Sequence, residues 1–238
     1  MTTTVERFPL LSASEFDAAC KHLVESFETY GVNQHSWLSV EVVDRYSVKY
    51  VRITKPLPNI HQNLGDSTTL PGEPNYEDFE DDEELLSTNS TPQMVIEYDI
   101  ILSPSYQVPV LYFSIIDPNF KLPPTMQTLY QYVIPPQYNE QTRSVGAIGG
   151  ITVTDHPHTN FPVFFIHPCQ TSAVMEASAG ENELNPYEYM LMWIGSLGGY
   201  IGLNVPLALT SGIKVGSPLP QTTVNSPWMS KNPRMMDE

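Results

Sequence analysis

Met94-Val95-Ile96-Glu97-Tyr98-Asp99-Ile100-Ile101-Leu102 is an apolar run, and Gln107-Val108-Pro109-Val110-Leu111-Tyr112-Phe113-Ser114-Ile115-Ile116 is a second. Ser103, Pro104 and Ser105, residue types that favour turns, separate them. Two apolar runs of strand length around such a turn predict a β-hairpin at the centre of a sheet. Upstream, Trp37 to Val43 sets Leu38, Val40 and Val42 against Ser39 and Glu41, and Tyr46 to Thr54 carries Lys49 and Arg52 among Val48, Val51 and Ile53. This alternation predicts two further antiparallel strands.

Helices are predicted at both ends of the strand region. From Ser14 to Tyr30, Phe16, Cys20, Leu23, Val24 and Phe27 recur at helical spacing and share one face, which makes Cys20 a core residue. Ser12 and Glu15 have capping-box spacing, and Gly31 supplies a stop. A second helix is expected to start with Asn185 as N-cap, Pro186 at the first position and Glu188 at the third, and to run through Trp193 to Gly198. It is apolar nearly all round, hence buried. A short helix is expected from Thr125 to Val133, ended by Pro135 and Pro136. Val145 to Thr154 and Val163 to Ile166 read as extended. A helix, then antiparallel strands, then helices describes an α+β domain.

Two segments fall outside that pattern. From Lys55 to Thr91 periodicity dissolves into Pro, Asn, Ser and Thr, with an acidic run from Glu73 to Glu84 that cannot bury enough apolar surface to offset its ordering entropy. The tail from Gly216 to Glu238 holds Pro218, Pro220, Pro227 and Pro233 with few hydrophobic residues. The expected organisation is one domain over residues 1–213 with a disordered acidic insertion at 59–91, then a disordered tail at 214–238.

Charge and cysteine usage narrow the function. The net charge is −16, no Lys or Arg occurs between Lys55 and Lys121, and only Arg143 lies between Lys121 and Lys214. Phosphate-backbone binding draws mainly on Lys and Arg, so nucleic acid is excluded as a partner. Two cysteines, Cys20 and Cys169, do not make a disulfide framework, and a reducing, cytoplasmic setting is expected. Met1 to Leu10 lacks the pattern of a signal peptide. The uncharged stretch Tyr189 to Ile213 is broken by Gly195, Gly198, Gly199, Gly202, Asn204 and Pro206, which argues against a membrane span.

The candidate chemistry centres on Phe164-Phe165-Ile166-His167-Pro168-Cys169-Gln170-Thr171, where an apolar strand ends at His-Pro and a run capable of a helical turn follows. A thiol reacts as its thiolate, which helix N-termini and imidazolium groups favour, and a proline stiffens the turn that presents it. A lone cysteine after a strand is nonetheless more often a small buried hydrophobe than a nucleophile. The competing reading is a zinc site, since His156 and His158, and likewise His167 and Cys169, are two apart and could project from one strand face. A third reading leaves His156 and His158 solvated in a proline-containing turn. No nucleophile elbow and no Gly-rich phosphate loop occur, and no cofactor is implied.

Three segments carry a family resemblance: Ser105-Tyr106-Gln107-Val108-Pro109-Val110-Leu111-Tyr112-Phe113; Asp155-His156-Pro157 leading to Phe164-Phe165-Ile166-His167-Pro168-Cys169; and Trp193 followed by Gly202-Leu203-Asn204-Val205-Pro206-Leu207. In this order they resemble the central hairpin, the active-site region and the end of the fold of the E2-like autophagy enzymes of the autophagy-related protein 10 branch. The resemblance implies an E2-like core, an antiparallel sheet packed by helices, with Cys169 as the thioester-forming cysteine. It implies loading by the E1-like autophagy-related protein 7, the ubiquitin-like autophagy-related protein 12 as modifier, and a lysine of autophagy-related protein 5 as acceptor. It places Tyr112 and His167 near the sulfur. It also implies a cytoplasmic enzyme recruited to the autophagosome assembly site, without stable membrane insertion. The sister branch, autophagy-related protein 3, shares His-Pro-Cys but transfers to a phospholipid. Ubiquitin E2 enzymes carry His-Pro-Asn ahead of their cysteine, where this chain has His156-Pro157-His158 and no Asn. The alternatives are a catalytically inactive E2-like binding module and a zinc-stabilised β domain built on His156, His158, His167 and Cys169.

Overall fold

The structure, a computed structural model, describes residues 4–45, 48–57, 94–119, 122–135, 138 and 150–210. Helix α1 spans Ala13–Tyr30. The reciprocal cap expected at its start forms: Ser12 Oγ accepts the N–H of Glu15 at 3.3 Å, and Glu15 Oε2 accepts the N–H of Ser12 at 2.7 Å. Glu15 Oε1 also accepts the N–H of Glu6, tying the preceding segment to the helix start. Gly31 follows with a right-handed φ of −63° and opens a 3₁₀ turn, Gly31–Asn33. The need for glycine there is spatial, since a Cβ would stand 3.0 Å from the Phe27 ring.

Six strands follow among the described residues: β1 Ser39–Arg45, β2 Val48–Pro56, β3 Val95–Leu102, β4 Pro109–Ile116, β5 Ile151–Asp155 and β6 Pro162–Ile166. They form one sheet in the order β1-β2-β3-β4-β6-β5, with every neighbouring pair antiparallel. The β3–β4 hairpin is central, as its apolar runs predict. In its turn Gln107 takes a positive φ of 52° and donates its N–H to the Ser103 carbonyl, while the Ser103 N–H donates to the Val108 carbonyl.

The alternation of side chains gives the sheet two different faces. One carries Val51, Ile53, Ile96, Tyr98, Ile100, Leu111, Phe113, Phe164 and Ile166, which form the core with α1 and the later helices. Arg52, Asp99, Tyr112 and Phe165 alternate with these on the opposite face, and the register lines them up. Arg52 pairs with Asp99, Asp99 with Tyr112, Tyr112 with Phe165, and Phe165 with Thr152.

After β4 the chain forms a single helical turn, α2 Met126–Thr128, capped by Thr125, which widens into a π turn at Leu129–Val133. The short helix expected at Thr125 to Val133 is therefore present but not a regular α-helix. Helix α3, Thr171–Ala179, follows β6 through a 3₁₀ turn, Pro168–Gln170. Helix α4, Pro186–Leu197, has the predicted cap: Asn185 Oδ1 accepts the N–H of Glu188, and Glu188 Oε2 accepts the N–H of Asn185, each at 3.0 Å. Trp193, Ile194 and Met190 of α4 are buried in the core, and the helix packs against α1.

The segment beyond α4 is held to the sheet by polar contacts. Tyr98 Oη donates to the Ile201 carbonyl at 2.7 Å, Lys55 Nζ donates to the Gly202 carbonyl, and Trp37 Nε1 donates to the Asn204 carbonyl at 3.0 Å. Gly202 has a φ of 75°, a left-handed conformation that lets the chain turn back at this point. No helix among the described residues is long and apolar enough to cross a membrane. The acidic insertion expected at 59–91 and the tail at 214–238 lie outside the described residues.

Candidate active site

Strand β6 ends at Ile166, and His167 turns the chain. The N–H of His167 donates to the Gly150 carbonyl just before β5, so the neighbouring edge strand braces the turn. Pro168 is buried and opens the 3₁₀ turn, while Cys169 beside it is exposed and its thiol is free. His167 acts as N-cap: its Nδ1 accepts the N–H of Cys169 at 3.1 Å. An accepting Nδ1 carries no proton, so in this geometry the neutral imidazole keeps its proton on Nε2. The buried Thr171 and Met175 of α3 anchor the chain on the far side of the cysteine.

The second cysteine is its opposite. Cys20, in the middle of α1, is 1 % exposed, and burial, assisted by the charge of Asp17, pushes its thiol up to about 12. Of the two sulfurs, only that of Cys169 meets solvent.

Tyr112, on β4, stands opposite Phe165 in the ladder, and their rings are 5.1 Å apart. Phe165 meets His167 edge to face at 5.9 Å, and Tyr106 from the hairpin turn meets His167 at 5.6 Å. Phe165 thus links Tyr112 to His167 through ring contacts, and His167 is bound to the amide of Cys169. Burial raises the Tyr112 phenol, which keeps it a neutral hydroxyl that can donate a hydrogen bond.

On the other side of Tyr112 lies His156, with ring centroids 5.4 Å apart. Here the expectation of solvated histidines is corrected. His156 and His158 do lie in a turn, but the turn folds back over the open sheet face and His156 is 2 % exposed. Its Nδ1 accepts the N–H groups of His158 and Thr159 at 3.2 and 3.3 Å, and its Nε2 faces Asp99 Oδ2 at 3.1 Å. That last contact is off the line of a well-aligned hydrogen bond, so the N–H dipole meets the carboxylate mainly through electrostatics. Asp99 is clamped by Arg52, with Nε to Oδ1 and Nη2 to Oδ2 both at 2.7 Å, and Arg52 Nη1 lies 3.2 Å from Glu97. Burial pushes the Asp99 carboxyl up, but the hydrogen bonds from Arg52, with the facing imidazole of His156, outweigh it and hold the group below the usual range. His158 stacks flat on Tyr50, and burial lowers its imidazole.

The zinc reading is corrected by the same arrangement. Tyr112 and Phe165 stand between the His156–His158 pair and the His167–Cys169 pair, and each histidine already has another partner. Among the described residues no three of His, Cys, Asp and Glu are grouped to hold a metal ion. Arg52 and Asp99 are site residues that the sequence reading did not single out, and it expected His156 as a zinc ligand or in solvent, not buried on Asp99. The available signal was a pair of opposite charges, Arg52 and Asp99, each set between apolar neighbours in its strand.

Comparison with known proteins bears on the same region. Residues 15–208 match the family model described as autophagocytosis associated protein, active-site domain. The chain is 27% identical over 236 residues to the ubiquitin-like-conjugating enzyme ATG10 of Gibberella zeae, covering 85% of this chain and 97% of the relative. It is also 27% identical over 213 residues to the ubiquitin-like-conjugating enzyme ATG10 of Homo sapiens, covering 86% and 94%. A crystal structure of the autophagic E2 Atg10 aligns over 82% of this chain and 99% of that one, with a TM-score of 0.42 and 13% identity.

Proposed function

Because the chain belongs to the autophagocytosis-associated protein family, as an E2-like enzyme of autophagy in its ATG10 branch, we propose that Cys169 is the sulfur that carries the modifier. The observation that carries the reading is the exposed, free thiol of Cys169 in a turn braced on one side by β5 and capped by His167.

In the proposed reaction the Cys169 thiolate attacks the thioester carbonyl of a modifier held by an E1-like enzyme. A new carbon–sulfur bond forms and the donor's thiolate leaves. An acceptor lysine amine then attacks the same carbonyl; a carbon–nitrogen bond forms, the Cys169 thiolate leaves, and the amine's extra proton passes to a base or to water. His167 keeps the Cys169 amide fixed, and Tyr112 supplies a hydroxyl that stays protonated on the side of the acyl group. The partners in this reading are autophagy-related protein 7 as E1-like enzyme, autophagy-related protein 12 as modifier and a lysine of autophagy-related protein 5 as acceptor. The work is done in the cytoplasm, at the site of autophagosome assembly, by one conjugating domain over residues 1–213 that carries the acidic insertion at 59–91.

Incubation with the E1-like enzyme, the modifier and ATP tests this directly. The expected product is a conjugate that thiol cleaves, that Cys169→Ala does not form, and that Cys169→Ser forms as a thiol-resistant ester. A conjugate that persists in Cys169→Ala defeats the assignment.

A further inference from the structure

The open face of the sheet buries more charge than closing a turn requires. Asp99 is 6 % exposed and held by two hydrogen bonds from Arg52, and His156 is buried on top of it. Tyr50 Oη, His156 Nε2 and His158 Nε2 are buried there without a hydrogen-bond partner, the second of them facing the Asp99 carboxylate. Desolvating charged and polar groups is costly, and apolar residues of similar volume usually cover a sheet at least as favourably. What a polar anchor supplies instead is direction.

The direction is legible in the contacts. His156 Nδ1 accepts two N–H groups of its own turn, and Nε2 faces the Asp99 carboxylate at 3.1 Å without a well-aligned hydrogen bond. Turning the ring over would take Nδ1 from those N–H groups and Nε2 from the carboxylate. Its neighbour is Tyr112, whose strand position lies opposite Asp99 in the ladder, so the imidazole that faces this carboxylate also lies against the tyrosine ring. Tyr112 is thereby held between His156 and Phe165, and Phe165 lies two residues before His167 on the strand that delivers Cys169.

We propose that His156, locked by Asp99 and Arg52, is a positioning residue that sets the ring of Tyr112 for transfer of the modifier from Cys169. The proposal rests on the reading of Cys169 as the acyl carrier. His156 touches neither acyl group nor acceptor; it acts through Tyr112.

The test uses the full chain carrying His156→Asn. Asparagine keeps the acceptor that the turn needs, as side-chain turns of this kind allow, but has no ring to set against Tyr112. Loading of modifier onto Cys169 and single-turnover discharge to the acceptor lysine are measured separately, in wild type, His156→Asn, Tyr112→Phe and the double variant. Loading is expected to persist in His156→Asn while discharge falls roughly tenfold or more, the scale on which a displaced catalytic group costs rate. In the Tyr112→Phe background the second change is expected to add no further loss, and the Tyr112 side-chain NMR signals are expected to move in His156→Asn. Unchanged discharge, a further loss on top of Tyr112→Phe, an equal fall in loading and discharge, or an unmoved Tyr112 overturns the proposal alone. A wild-type protein that takes up no modifier removes the Cys169 reading, and the proposal with it.

Discussion

Asp99 and Tyr112 stand directly opposite each other in the β3–β4 ladder, on the face of the sheet turned away from the helical core. The carboxylate points at Arg52 on one neighbouring strand, and the ring of Tyr112 meets Phe165 on the other. A single row of side chains therefore runs from the Arg52 ion pair toward the strand that ends at Cys169.

Removing one member of that row leaves a charge without its partner. Asp99→Ala is expected to lower stability by about 3 kcal/mol, at the low end for breaking a buried ion pair, because Glu97 remains beside the guanidinium. The paired change Arg52→Met with Asp99→Leu is expected to cost less than Asp99→Ala alone. Urea unfolding midpoints of the three proteins check the order.

The two thiols are expected to differ in reactivity as they do in surroundings. Iodoacetamide on the native protein should alkylate Cys169 and leave Cys20 untouched until the chain is unfolded, since burial holds the Cys20 thiol up near 12. Peptide mass mapping after short exposure reads this. Early labelling of Cys20 would contradict the packing of α1.

His167 caps the turn that presents Cys169. His167→Ala is expected to cost about 1 kcal/mol of stability, the usual scale for losing a capping acceptor, and to slow thioester loading more than that loss explains. His167→Asn, which restores an acceptor at the same position, is expected to recover the stability. Thermal melts and loading time courses separate the two effects.

Stability is expected to rise with pH across two windows. The His158 imidazole is lowered by burial and by His156, so the unfolded chain takes up a proton where the folded one does not. Stability from this source is complete above the ordinary imidazole range of about 6.5 and is lost as pH falls below it. Asp99 is lowered despite its burial, so its contribution holds above the ordinary carboxyl range of about 4 and is lost as pH falls through the folded value. Urea midpoints against pH should show both declines in wild type and only the lower one in His158→Asn.

Much of this is legible in the sequence, and the reason is local. Both helix caps depend on side chains three residues apart, the hairpin on a turn between two apolar runs, and the burial of α4 on its own composition. Cys169 was legible as the residue after a strand and before a helix, because Ile166, His167 and Pro168 say so in sequence. The Arg52–Asp99 pair was not, since its members are 47 residues apart and meet only once the register of β2 on β3 is known. His156 was misjudged for a related reason. A histidine in a Pro-containing turn reads as solvated unless one knows that the turn lies back over a sheet and onto a carboxylate. The π turn at Leu129–Val133 likewise followed from no residue that signals it.

Pro56 and Val95 form the terminal rung of the β2–β3 pairing, and the N–H of Leu57 donates to the Met94 carbonyl at 2.9 Å. The chain thus leaves the sheet and returns to it at adjacent points, already zipped together. Where the ends of a flexible connection are pinned side by side in this way, each doubling of its length costs only about 0.6 kcal/mol of closure entropy. The pairing of Pro56 with Val95 thus makes length between these two strands inexpensive for evolution to vary.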